Sequence, residues 1–139
     1  MKNQIAFYIF LFFIILSPAF GDLVSENDTA DTKNKIDNMS PPEWIWGAWT
    51  VEEETDDPFI IVFAENNIIM DNYSLIEDIE SGYVIVFEQD ITEEYYEIYV
   101  KFDNEDWFRE RYFKTSEDVM ESQFTASDGT ELSFTYNKE

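Results

Sequence analysis

Hydrophobic and polar positions divide the chain into three unlike stretches. From Ile5 to Leu16 twelve consecutive residues are apolar or aromatic. From Asp22 to Met39 the chain is polar and charged, with Leu23, Val24, Ile36 and Met39 its only sizeable apolar residues, and it leads into Ser40-Pro41-Pro42. Beyond Pro42 short aromatic and β-branched runs alternate with acidic, Asn and Gly clusters every 8 to 12 residues or so, the spacing of an all-β domain. Eight strands are predicted: Trp46 to Glu52, Phe59 to Phe63, Asn67 to Met70, Tyr83 to Glu88, Tyr95 to Phe102, Trp107 to Lys114, Val119 to Thr125 and Glu131 to Tyr136. Turn residues fill the gaps at Glu65-Asn66, Ser81-Gly82, Asn104-Glu105 and Asp128-Gly129, the last a pair favoured in type I′ hairpins. Asp71 to Ile79 reads as either an additional short strand or a helical turn. Side chains alternate between faces along a strand, so Tyr96, Ile98, Val100 and Phe102 share an inner face, joined by Met120, Phe124, Leu132, Phe134 and Tyr136. Phe59 to Phe63 and Tyr83 to Phe87 are apolar on both faces and need cover outside as well. The expected fold is an eight-stranded antiparallel up-and-down barrel, whose closure removes exposed edges.

The first stretch has the form of a secretory signal peptide. Lys2 precedes the apolar run, and Ala19-x-Gly21 suits cleavage before Asp22. Twelve residues are too few to span a bilayer, which needs about twenty. The expected organisation is a signal peptide over 1–21, a flexible linker over 22–40 with too little apolar surface to offset the entropy of ordering, and a β-domain over 41–139. The mature chain is expected outside the cytoplasm, periplasmic or secreted, without a membrane span.

Charge and missing residue types narrow the chemistry. Without Met1 to Gly21 the chain has 118 residues with 31 acidic and 7 basic side chains, net −24. A surface of that charge repels nucleic acid and anionic lipid and attracts a basic protein partner. The sequence contains no His and no Cys, which excludes Ser-His-Asp triads, Cys-His nucleophiles, imidazole or thiolate zinc sites and disulfides. Carboxylate runs such as Glu52-Glu53-Glu54 and Asp103 to Asp106 lack the spacing of a calcium loop and read as solvated loop charge. No metal and no cofactor is expected, nor is enzymatic activity.

The first strand of the domain opens with Gly47-Ala48-Trp49, directly after Pro41-Pro42 and Trp44-Ile45-Trp46. This resembles the start of lipocalin-like (calycin) barrels, and the resemblance covers Pro41 to Glu139. It implies that Trp49, with Gly47, closes the narrow end of the barrel beneath a basic residue from late in the chain, and that the open end holds a small hydrophobic molecule. The chain departs from that family in having no Thr-Asp-Tyr second motif, no disulfide and no C-terminal helix.

Two arginines sit on the strand Trp107 to Lys114. A two-residue turn at Asn104-Glu105 pairs Val100 with Arg109 and Ile98 with Arg111, turning both guanidinium groups inward, where a ligand carboxylate would pair with them. A one-residue slip turns Phe108, Glu110 and Tyr112 inward and leaves the arginines outside, pairing with Glu97 or Glu121. Both registers put an ionisable residue among the inner positions. The functional expectation is an exported acidic protein binding a small apolar or amphipathic ligand through Tyr96, Ile98, Val100, Phe102, Phe124 and Phe134, with Arg109 and Arg111 at an anionic head group. The alternatives are a filled barrel acting as a protein-interaction module, favoured by 19 aromatic side chains in the mature chain, and a carboxylate-dependent enzyme.

Overall fold

A computed structural model describes residues 35–53 and 55–139. The signal peptide and the linker up to residue 34 lie outside the described residues. The domain is all-β, with ten strands: β1 (Lys35–Ile36), β2 (Gly47–Val51), β3 (Ile60–Ala64), β4 (Asn67–Met70), β5 (Tyr73–Ser74), β6 (Val84–Ile91), β7 (Tyr95–Phe102), β8 (Trp107–Lys114), β9 (Val119–Ala126) and β10 (Glu131–Lys138). A 3₁₀ turn, Glu43–Ile45, precedes β2, and one short helix, α1 (Leu75–Glu80), follows β5. The eight expected strands are all present, and Tyr73 to Glu80 supplies both a short strand and a helical turn.

The strands form one curled sheet in the order β1-β6-β7-β8-β9-β10-β2-β3-β4-β5. Antiparallel pairing of β10 with β2 joins the two ends of the meander. The closed eight-stranded barrel expected from the sequence is thereby corrected to a half-barrel, because among the described residues no ladder joins β4 or β5 to β6. Two local features account for the opening. The Ser74 hydroxyl accepts the Glu77 amide and starts α1, with Leu75 buried, which is N-capping of an ordinary kind; the chain therefore leaves the sheet after β5, and α1 packs against both β4 and β6. The free edge of β6 is then taken by β1, in parallel register Lys35↔Val86 and Ile36↔Phe87.

That pairing corrects the linker as well. Residues 35–40 are part of the fold: the Asp37 amide donates to the Phe87 carbonyl at 2.9 Å, the Gln89 side chain bonds Asn38 and Ser40, and Met39 is 6% exposed. One buried thioether and a row of backbone bonds order a segment whose composition reads as linker.

Loop length sets the register of β8. The β7–β8 connection has three residues, Asp103 to Glu105, rather than two: the Phe102 amide donates to the Asp106 carbonyl at 2.8 Å, and Glu105 takes a left-handed φ of 74°. This is the three-residue hairpin in which a turn is followed by a left-handed residue. The β9–β10 hairpin repeats it, with Ala126 bonded to Thr130 and Gly129 at φ 87°, so the type I′ turn expected at Asp128-Gly129 is not formed. The extra residue pairs Val100 with Phe108, Ile98 with Glu110 and Tyr96 with Tyr112. It turns Phe108, Glu110 and Tyr112 to the buried face.

Candidate functional site

The inner face carries two groupings of interest, one at an end of the sheet and one midway along it. The end is built around Trp49, 1% exposed. Its indole N–H donates to the Ile45 carbonyl of the 3₁₀ turn at 2.7 Å, while Trp46 holds the approach by donating to the Pro41 carbonyl at 2.7 Å. On β10 the register places Lys138 opposite Trp49, and its ammonium lies 5.2 Å from the indole ring centre, within cation–π range. Gly47 makes this approach feasible. Its φ is 118°, a left-handed conformation that side chains avoid, and a Cβ there would come 3.1 Å from Lys138 Cε. Lys138, one residue from the end of the sequence, thus lies beside the tryptophan ring, a placement the sequence does not reveal.

Midway along the inner face lies a polar cluster within the aromatic core. Glu110 is 5% exposed. Its Oε1 accepts the Ser122 hydroxyl at 2.7 Å and the Tyr136 hydroxyl at 3.3 Å, and its Oε2 accepts the Tyr112 hydroxyl at 2.7 Å. These three hydroxyls come from β8, β9 and β10, brought together by Tyr112↔Ser122 and Phe134↔Ser122 pairing. Burial pushes the Glu110 carboxyl above the ordinary range while the hydroxyls hold it down, and the net effect is upward. Burial and the Glu110 charge push the Tyr112 and Tyr136 hydroxyls well up. Rings surround the cluster: Phe63 meets Tyr112 edge-on at 5.0 Å, Tyr96 stacks on Tyr112 at 6.3 Å, and Tyr136 packs against Tyr112 and Phe134.

A second carboxylate sits beside this cluster. Past β2 the Glu52 amide donates to Thr135 and the Glu53 amide turns back to Val51, so Glu53 runs beside β10, two residues past the level of the Val51↔Tyr136 pair. Its charge reaches the Tyr136 hydroxyl and helps raise it. Both Glu53 carboxylate oxygens are shut off from solvent and neither has a hydrogen-bond partner.

Tyr96, Ile98, Val100, Phe102 and Phe134 are all on the buried inner face. Phe124 is half-buried, stacked on Phe108 at 5.6 Å. Arg109 and Arg111 lie on the outside, which corrects their inward placement: Arg111 bonds Glu97 at 2.8 Å, Arg109 stands 3.8 Å from the same carboxylate, and the guanidinium groups cover the rings of Tyr95 and Tyr99. The reason is the three-residue β7–β8 loop. The inner ionisable group of β8 is therefore an acid. Glu110 and Tyr112 were legible as the inner residues of one of two registers; Ser122 and Glu53 gave no signal, since a serine in a strand and a glutamate in an acidic run look like solvent-facing residues.

Among the described residues no three metal-ligating side chains come together, and no helix is long and apolar enough to cross a membrane. No protein-family model, no curated protein and no solved structure matches this chain.

Proposed function

We propose that this chain is an exported, acidic, lipocalin-like half-barrel that binds a small hydrophobic or amphipathic ligand against its inner face. The observation that carries the reading is the end built from Gly47, Trp49, Lys138 and the Glu43–Ile45 turn. A tryptophan beneath a late basic residue is what the lipocalin-like resemblance implies for a closed end. The seam between β5 and β6, spanned by α1 rather than by a ladder, supports ligand entry, because a short helix is moved aside more easily than a strand pair is broken. The inner face combines apolar walls with a few placed polar groups, the usual composition of a small-molecule site. An anionic head group held by Arg109 and Arg111 has no place in this reading, since both face outward.

A specific observation favours a second reading, a protein-interaction module. The outer face of β7 and β8 presents Tyr95 with Phe113 and Tyr99 with Trp107, interleaved with Arg109 and Arg111, and aromatic and arginine side chains are enriched at interfaces. Catalysis by carboxylates has less support, because Glu110 commits both oxygens to protein hydroxyls.

The test is a titration of the mature chain, Asp22 to Glu139, with N-phenyl-1-naphthylamine, a neutral probe that brightens in apolar surroundings. Ligand binding predicts saturable uptake at one probe per chain. A linear, unsaturable signal refutes it.

A further inference from the structure

We propose that the ligand's polar group is a cation, an ammonium or other organic amine seated against Glu53 beside the Glu110 cluster, so that this half-barrel takes amines in preference to carboxylates. The inference rests on the reading of the inner face as a binding surface and specifies the chemistry it selects.

Glu53 carries the argument. A buried carboxylate without a donor is costly, and natural interiors satisfy such groups with few exceptions. Here two oxygens of one side chain lack any partner from the protein. An ammonium brings three donors and a full positive charge, which supplies both what the oxygens lack and the neutralisation a buried anion requires.

The surroundings suit the same occupant. Glu110 has four lone-pair positions and uses three, two on Oε1 for Ser122 and Tyr136 and one on Oε2 for Tyr112, leaving one acceptor position on Oε2. The rings of Tyr136, Tyr112, Phe134 and Phe63 form the adjoining wall, and ring faces attract organic cations most strongly where water is excluded. Of the described cations, both arginines are held outside by Glu97, Lys35 pairs with Glu88, Lys101 with Glu105, and Lys138 is engaged over Trp49. A bare divalent ion is a poorer match than an amine, because among the described residues no third metal-ligating side chain joins the two carboxylates.

The experiment displaces N-phenyl-1-naphthylamine from the mature chain with three ligands sharing one tail, dodecylamine, 1-dodecanol and dodecanoate, at physiological ionic strength. Three proteins are compared: the parent, Glu53→Gln, and Glu121→Gln, which removes one exposed charge from the outer part of β9. A charge-assisted contact of this kind predicts that the parent prefers dodecylamine to 1-dodecanol by on the order of tenfold. Glu53→Gln should bring the two within about threefold while leaving 1-dodecanol unchanged, and Glu121→Gln should keep the full preference. Equal preference in all three proteins would assign it to the overall negative charge and overturn the proposal, as would tighter binding of dodecanoate. In either case saturable uptake of the neutral probe would leave the ligand-binding reading standing. If the probe and all three ligands fail to bind, both readings fall. Circular dichroism of Glu53→Gln identifies a folding defect, and Glu53→Asp, which keeps the charge, must then retain part of the preference; its complete loss in that variant with 1-dodecanol binding intact counts against a simple ion pair.

Discussion

At the scale of single residues, the account turns on a buried acid and a glycine. Glu110 binds its proton more readily in the fold than in the unfolded chain, since burial raises it from the ordinary value of 4.5. The native state therefore holds the extra proton between 4.5 and the raised native value. The contribution of Glu110 to stability is full below that window and declines as pH climbs through it. In Glu110→Gln the amide replaces the acid without a charge, so the stability difference between parent and variant should shift in the variant's favour as pH rises across the window, read from urea midpoints at several pH values. Glu110→Leu should be worse than Gln at every pH, by about 1–3 kcal/mol, because it strands the hydroxyls of Tyr112, Ser122 and Tyr136. At Gly47 a methyl group would meet both an unfavourable φ of 118° and Lys138 Cε at 3.1 Å; Gly47→Ala should cost about 1–3 kcal/mol, seen as a lower melting temperature. These residues show where sequence reading ends. Gly47 and Trp49 stand out as a motif, whereas the partner Lys138, 89 positions beyond Trp49, is identified only by the β2–β10 register.

At the scale of elements, loop lengths and edges decide what period-two patterning cannot. All eight long or mid-length strands follow from alternation and turn residues, because a half-buried strand must place apolar side chains at every second position. The inner positions of β7 follow for the same reason. The register of β8 does not, since its two faces, Phe108-Glu110-Tyr112 and Arg109-Arg111-Phe113, both mix charged and aromatic residues and neither is an obvious core face. One residue in the Asp103 to Glu105 loop settles it. Glu105 adopts a left-handed φ of 74° there, a conformation a glycine accepts readily. Glu105→Gly should therefore stabilise the domain by about 1 kcal/mol, since the exposed pair it makes with Lys101 contributes little; thermal unfolding reads the difference. The opened seam was equally illegible, because it depends on α1 starting at Ser74 and on β1, a two-residue strand from a segment of linker composition, taking the edge of β6.

At the scale of the whole molecule, the described domain is an acidic half-barrel whose inner face is apolar and aromatic apart from carboxylates and the hydroxyls of Ser122, Tyr112 and Tyr136. Like charges repel across such a surface, and salt screens them beyond about 10 Å at 0.1 M; the melting temperature should rise between low salt and 0.5 M sodium chloride. The edge beside α1 and β5 should exchange its amide hydrogens before the β7 to β10 ladders, because a two-residue strand and a short helix hold few bonds against opening. The central claim, that the inner face and not the outer one receives a ligand, is tested most directly by amide and methyl NMR shift mapping of the mature chain titrated with N-phenyl-1-naphthylamine. The account predicts saturating shifts at Ile98, Val100, Phe102 and Phe134, with Tyr95, Tyr99, Trp107 and Phe113 unmoved. Shifts confined to those four outer residues would contradict it and identify the outer face of β7 and β8 as the binding surface.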